Sequence, residues 1–439
     1  MSPAPFSLCR VLAAAFGLAG LAAAPALGAP DTDGAVAVFH EAKVICDRDG
    51  GALWGRSLCG PMLLVDPNDR AIAANQADGG GVLKASGSIF TGIFPESENV
   101  ANTPTEWSGV RWTQILWPLP ASEVKRHVLI AHELFHRIQP YLNLSRPEAG
   151  NQHLDTLEGR YLLQLEWRAL GKALGAPTTA GRRAAIADAL LFRRERYRLF
   201  PQAATEEGAL EINEGIPEYT GVRLGIATAL ERRGYAVYDL SAFVQAPTFV
   251  RSFAYATGPA YGLLLDQADP AWRGKLGSGQ RLDQLLSSAL RLPAPAFVQV
   301  KARQAAYDDG RLRTREVKRD QERQSRLAAL KARLVDGPVL MLPLHHSNYQ
   351  FNPQTLQPLG EFGTVYPSLR LTADWGVLEV DYGGALLDKD MATATVSAAG
   401  IDPSSLKGDG WRLILNKGWI LAPGSRKGDL VAKRGGAVP

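Results

Sequence analysis

Apolar residues return in two rhythms along this chain. Through residues 121–335 they recur every three or four positions, the spacing that lines one face of a helix. On either side, short apolar runs are broken by Gly, Asn, Asp and Pro, the punctuation of strands and turns. Upstream, residues 60–67, 71–77, 89–94 and 110–116 predict a small, mostly antiparallel β layer within 30–120. The run 110–116 directly precedes the first strong helix, so it is expected to offer an exposed edge beside that helix, where an extended peptide could pair. Helices are expected at 154–174, 182–199, about 214–230 and from 297 onward. After Gly337-Pro338 the strand rhythm returns at 339–343, 368–372, 376–381 and 411–415, which predicts a C-terminal β domain over 336–439. The fold class is therefore α+β, with a β layer packed on a mainly helical domain and a β module behind it.

Composition alters this picture little. The chain has 439 residues, 46% hydrophobic and 21% charged, enough to bury sizeable cores in more than one domain. A net charge of +4 is small for that length, so nothing in the balance calls for nucleic acid. The segment 311–333 is crowded with Arg and Lys but interrupted by Glu and Asp, and reads as the solvated face of a long helix.

The first 29 residues read as an export signal. Arg10 is followed by an apolar run, 11–24, and by small residues at Ala26, Gly28 and Ala29 where a peptidase could cut. The run is shorter than the roughly 20 residues a membrane span needs, so no stable membrane insertion is expected after its removal. The expected location is the periplasm or the exterior. Cys9 leaves with the signal, and the remaining Cys46 and Cys59 form an even pair in an oxidising compartment, where a disulfide is expected.

The chemistry concentrates at residues 131–139, Ala-His-Glu-Leu-Phe-His-Arg-Ile-Gln. His132 and His136 are four apart and share a helical face, so both imidazoles can converge on one metal with Glu133 beside it. With only 7 His in the chain, accident is a poor explanation. Ser122 is placed to cap this helix, Val124, Val128, His132 and His136 repeat along it, and Pro140 stops it.

Catalytic zinc usually takes three protein ligands. Downstream, Glu211-Ile-Asn-Glu-Gly-Ile-Pro-Glu-Tyr-Thr-Gly221 offers Glu214 and Glu218, again four apart. Glu214 is the choice for third ligand, and Glu218 the carboxylate that accepts a hydrogen bond from a ligating histidine. Glu158 and Glu166 are the alternatives for the third position. His153 and the His345-His346 pair lack metal-ligand spacing, and Asp66-Pro-Asn-Asp69 reads as a turn.

These pieces resemble the gluzincin metallopeptidases, which include thermolysin-like proteases and M1-type aminopeptidases. The likeness rests on His132-Glu-Leu-Phe-His136, on Asn213-Glu-Gly running to Glu218-Tyr219, and on Tyr255-Ala-Thr-Gly258, and spans residues 110–266. It implies a zincin-type helical core at 121–335, Zn2+ held by His132, His136 and Glu214, and Glu133 as general base. It also implies Tyr255 as oxyanion donor; Tyr261, nearby in the same segment, is the reserve candidate. Three departures stand out. His136 and Glu214 are 214 − 136 = 78 residues apart, so the intervening helices must fold away from the metal. Pro217 stands where a small residue is usual and would kink the helix or mark its first turn. The Gly-x-Met-Glu-Asn segment that holds a substrate amine in M1-type enzymes is absent.

The expectation is an exported zinc peptidase acting on a peptide or protein. Two rivals remain: a noncatalytic envelope protein braced by zinc, and a zinc amidase acting on cell-wall peptide.

Overall fold

A computed structural model describes residues 30–435 except 148–149, 294–296, 352–354 and 403–404. The expected export signal lies outside the described residues. The chain forms two compact units, the first running to Arg313 and the second from Thr314, with the division inside a helix at Arg311–Lys331.

The first unit opens with a helix that the sequence reading missed. α1, Thr32–Asp49, is capped by Asp31, whose carboxylate accepts from the Gly34 amide at 2.7 Å, and is ended by Gly50 at φ 56°. Its buried positions, Ala35, Val38, Ala42, Ile45 and Cys46, follow the helical period. Its β-branched valines favour strand locally; the end caps and burial of one face decide for helix. The expected disulfide is present: Cys46 on α1 is bonded to Cys59, tying the helix to the lead-in of the first strand.

Six strands follow: β1 Met62–Val65, β2 Ala71–Ala74, β3 Lys84–Ser86, β4 Ile89–Ile93, β5 Thr103–Trp107 and β6 Val110–Leu116. They form one sheet in the order β3-β4-β2-β1-β6-β5, antiparallel except for the β1–β6 pair. Alternation divides its faces. Leu64, Ala73, Ile89 and Ile115 face the helices, while Leu63, Ile72, Phe94 and Trp112 form a separate cluster on the other side. The expectation that residues 110–116 present an exposed edge is corrected here. β6 is flanked by β1 and β5, so its hydrogen-bonding groups face neighbours on both sides, and β5 holds the edge.

The helices are α2 Glu123–Ile138, α3 Leu157–Gly175, α4 Thr179–Leu199, α5 Ala203–Leu210, α6 Ile216–Gly225, α7 Ala229–Ala242, α8 Phe253–Ala268, α9 Leu282–Ala289 and α10 Val300–Gln304, with α11 at Arg311–Lys331. The expected single helix near 214–230 is two, α6 and α7, because the chain turns extended at Ile226 and restarts on a Thr228–Glu231 capping box. α2 and α6 lie close because α6 turns glycines toward its neighbour. A Cβ on Gly221 would stand 2.5 Å from the Val128 carbonyl oxygen, and one on Gly225 2.8 Å from the His127 carbonyl carbon. Gly258 of α8 meets Gly215 as tightly, where a Cβ would lie 2.1 Å from the Gly215 carbonyl oxygen. Any side chain at these positions would push apart the helices that carry the site.

In the second unit, α11 is followed by β7 Val339–Pro343, β8 Asn348–Phe351, β9 Gln357–Pro358, β10 Thr364–Tyr366, β11 Leu369–Ala373, β12 Gly376–Val380, β13 Ala385–Leu387, β14 Thr393–Ser397, β15 Lys407–Gly408, β16 Trp411–Leu415, β17 Trp419–Pro423 and β18 Leu430–Arg434. They form a seven-stranded and a five-stranded sheet around Leu342, Leu371, Trp375, Leu378 and Trp411. The four strands expected in this region are all found. No helix among the described residues is long and apolar enough to cross a membrane.

Candidate metal centre

His132, Glu133 and His136 lie on α2, whose buried face runs from Val128 to Phe135. Ser122 occupies the helix start without a side-chain cap bond, and the helix gives way at Ile138 to a tight turn, Gln139–Leu142, containing Pro140. Glu214 arrives from a wider turn. Residues Glu211–Gly215 adopt a π-helical turn in which the Ile216 amide bonds back to the Glu211 carbonyl, and Pro217 then sits in the first turn of α6. The extra residue swings Glu214 toward α2 and leaves Glu218 one α-turn further on, against the other side of His132.

The result is a group of three buried donors, His132, His136 and Glu214, whose ligand atoms all lie within 4.8 Å of one another. The two Nε2 atoms are 3.0 Å apart, and Glu214 Oε2 lies 3.8 Å from the first and 3.6 Å from the second. Donors bonded at 2.0–2.1 Å to one tetrahedral ion stand roughly 3.3 Å apart, close to these separations.

Hydrogen bonds behind the rings fix what faces inward. His132 Nδ1 lies 2.7 Å from Glu218 Oε2, and His136 Nδ1 lies 2.8 Å from Gln139 Oε1. The Gln139 amide cannot be turned round, because its nitrogen faces the carbonyl oxygens of Leu144 and Ile212 at 3.0 and 2.9 Å. With protons on both Nδ1 atoms, the neutral rings aim lone pairs at each other and at a carboxylate. Such a set is stable only around positive charge, so the donor chemistry fits a metal cation.

The electrostatics agree. Burial raises the Glu214 carboxyl, but the hydrogen bond and charge of His136, with His132 and Arg251, outweigh it and hold it down at about 2. Burial works against a charged His136, yet Glu214 and Glu133 push it up to about 9, while burial and the charge of His136 press His132 down to about 4. The paired imidazoles and the ionised acid thus favour positive charge between them. Burial raises Glu133, opposed by the two histidines and reinforced by Glu214 and Glu218. Its Oε2 is buried with no hydrogen-bond partner among the described residues.

Tyr255 closes one side. Its ring is parallel to that of His132, and its hydroxyl donates to Glu214 Oε2 at 2.8 Å; burial and Glu214 keep that hydroxyl protonated. Arg251 donates to the other oxygen of Glu214 at 3.2 Å.

The other sequence candidates lie elsewhere. Glu158 is engaged by Arg313, and Glu166 by Arg193 and Arg196. Tyr261, the reserve oxyanion donor, gives its proton to Glu166 Oε1 at 2.7 Å and so belongs to that buried charge network. His153 bonds Glu207, and Asp66 closes the β1–β2 turn by accepting from the Asn68 amide. The intervening α3 and α4 pack on each other, and their facing sides carry the arginine–glutamate network that clasps Glu211 at the start of the π turn.

Two residues at the site were missed by sequence reasoning. Gln139, three positions after His136, had a signal in its helical spacing. Arg251 had none, since it precedes α8 and meets Glu214 only through the fold.

No protein-family model, curated protein or solved structure matches the chain. What this chain holds is thus defined by its own geometry: a buried His-His-Glu group able to hold a metal ion.

Proposed function

We propose that the protein is an exported zinc-dependent peptidase of gluzincin type, with Zn2+ held by His132, His136 and Glu214 and Glu133 as general base. Zinc bound there would supply a Lewis acid and would make a water acidic enough for a carboxylate to deprotonate.

The observation that carries this reading is Glu133. It adjoins a metal ligand, it is buried, and one of its oxygens has no hydrogen-bond partner among the described residues. A brace for helices needs no such base, whereas hydrolysis does. Glu133 accepts the proton of the attacking water and delivers it to the leaving amine. Glu218 and Gln139 hold the imidazoles in the tautomer that directs Nε2 inward. Tyr255, kept protonated by burial, becomes the donor to the oxyanion once its hydroxyl turns from Glu214 to the substrate.

Glu133→Gln tests the reading. Zinc content should match wild type while hydrolysis of a mixed peptide library falls by ~10²-fold or more. Unchanged turnover would remove the mechanism. Product analysis with cell-wall peptides as competing substrates distinguishes a peptidase from an amidase.

A further inference from the structure

Gln139 touches one candidate ligand directly and the backbone that carries another. Its Oε1 takes the Nδ1 proton of His136 at 2.8 Å, while its Nε2 donates to the Ile212 carbonyl at 2.9 Å and to the Leu144 carbonyl at 3.0 Å, with the Asn213 carbonyl at 3.4 Å. Ile212 and Asn213 are the two residues before Glu214, inside the π turn that aims Glu214 at the histidines. A π turn displaces carbonyls from the ordinary i to i+4 ladder, and a displaced buried carbonyl costs free energy until it finds a donor.

We propose that Gln139 is a positioning residue that sets two metal ligands at once, tying the ring of His136 to the backbone turn that presents Glu214. The inference rests on the reading of this group as a metal centre. The chemistry of the position selects an amide. A carboxylate would accept from His136 but face the Ile212 and Leu144 carbonyls with like polarity. An ammonium would donate to those carbonyls but oppose the His136 N–H. Only a neutral group with one acceptor and paired donors meets all three neighbours. Location reinforces this. Gln139 ends α2 three residues after His136, where Pro140 stops the helix and Asn143 takes a left-handed turn at φ 56°, so its side chain stays under the His136 ring. The backbone nearby is fastened too, since the Asn213 side chain exchanges hydrogen bonds of 2.8 and 2.9 Å with the amide and carbonyl of Arg146.

The test is metal binding by the whole chain, read apart from hydrolysis. Zn2+ affinity is measured by competition with a chromophoric chelator, and the Co2+ form by its visible absorption, for wild type, Gln139→Leu, Gln139→Glu and Tyr261→Phe. The last variant removes a buried hydrogen bond outside the metal group, from Tyr261 to Glu166. Gln139→Leu is expected to bind Zn2+ ~10–100-fold more weakly and to shift the Co2+ spectrum. Gln139→Glu, which keeps the partner of His136, should recover part of that loss and serves in its place if the leucine variant does not fold. Tyr261→Phe should bind as wild type does. If Gln139→Leu and Gln139→Glu bind within twofold of wild type, or Tyr261→Phe loses as much as they do, the positioning role is overturned. If wild type itself takes up neither ion, the metal-centre reading fails first.

Discussion

The phenol ring of Tyr255 lies parallel to the imidazole of His132, with centroids 5.8 Å apart and 5° between the planes, while its hydroxyl reaches past to Glu214. One side chain therefore buttresses His132 with its face and Glu214 with its tip. Tyr255→Phe keeps the face and deletes the tip. The expected outcome is a drop in kcat of about 10²-fold with metal still bound, as for removal of one oxyanion donor. Steady-state kinetics alongside metal analysis check it, and an unaltered kcat would confine Tyr255 to supporting Glu214.

Three acids competed for the third ligand position on sequence grounds, and their surroundings separate them. Glu214→Gln should lose most of its metal on dialysis. Glu158→Gln and Glu166→Gln should keep theirs, since those carboxylates are spent on arginines. Elemental analysis of the three proteins decides the matter, and retention by the Glu214 variant alone would reverse the assignment.

Arg193 is fully buried between Glu166, at 2.7 Å, and Glu211, which it meets with both terminal nitrogens. Removing it takes from Glu211 the guanidinium that clasps it in the core and leaves Glu166 to Arg196 and Tyr261. Arg193→Met is expected to cost about 3–5 kcal/mol, as when one partner of a buried ion pair is removed. Chemical denaturation measures this, and a loss under about 1 kcal/mol would mean that water or rearrangement compensates readily.

Asp239 on α7 is buried, and burial together with the charge of Glu218 pushes its carboxyl up to about 8, against a pull from Lys125. A carboxyl raised on folding binds more protons in the folded than in the unfolded chain between about pH 4 and 8, so its contribution to stability falls as pH rises through that window. Asp239→Asn, which cannot ionise, should match wild type below about pH 4 and exceed it increasingly up to pH 8, by an amount on the order of a few kcal/mol. Thermal melts across that range, with chelator present so that bound cations do not contribute, test the sign. A gap that narrows with rising pH would refute it.

Much of this was legible in the chain because it is written in local spacing. The i, i+4 pairs His132/His136 and Glu214/Glu218 require only helical geometry to share a face, and strand runs such as 110–116 and 411–415 carry their turn residues beside them. α1 shows the limit of that reading. It lies inside the region read as strands and turns, and its caps at Asp31 and Gly50 together with burial of Ala35, Val38 and Ala42 against the core make it a helix.

By itself, then, the sequence determined which residue types stand at intervals able to meet a cation, and where the strands of the flanking regions run. The tertiary structure alone decided that Glu214, and neither Glu158 nor Glu166, closes the group, that Tyr255 faces it while Tyr261 does not, and that Gln139 and Arg251 belong to it. The reason is physical. Spacing along a helix fixes a direction within that helix, but which distant side chain arrives there depends on how closely helices approach. Here that approach is set by glycines at Gly215, Gly221, Gly225 and Gly258, and by a π turn whose extra residue re-aims one carboxylate.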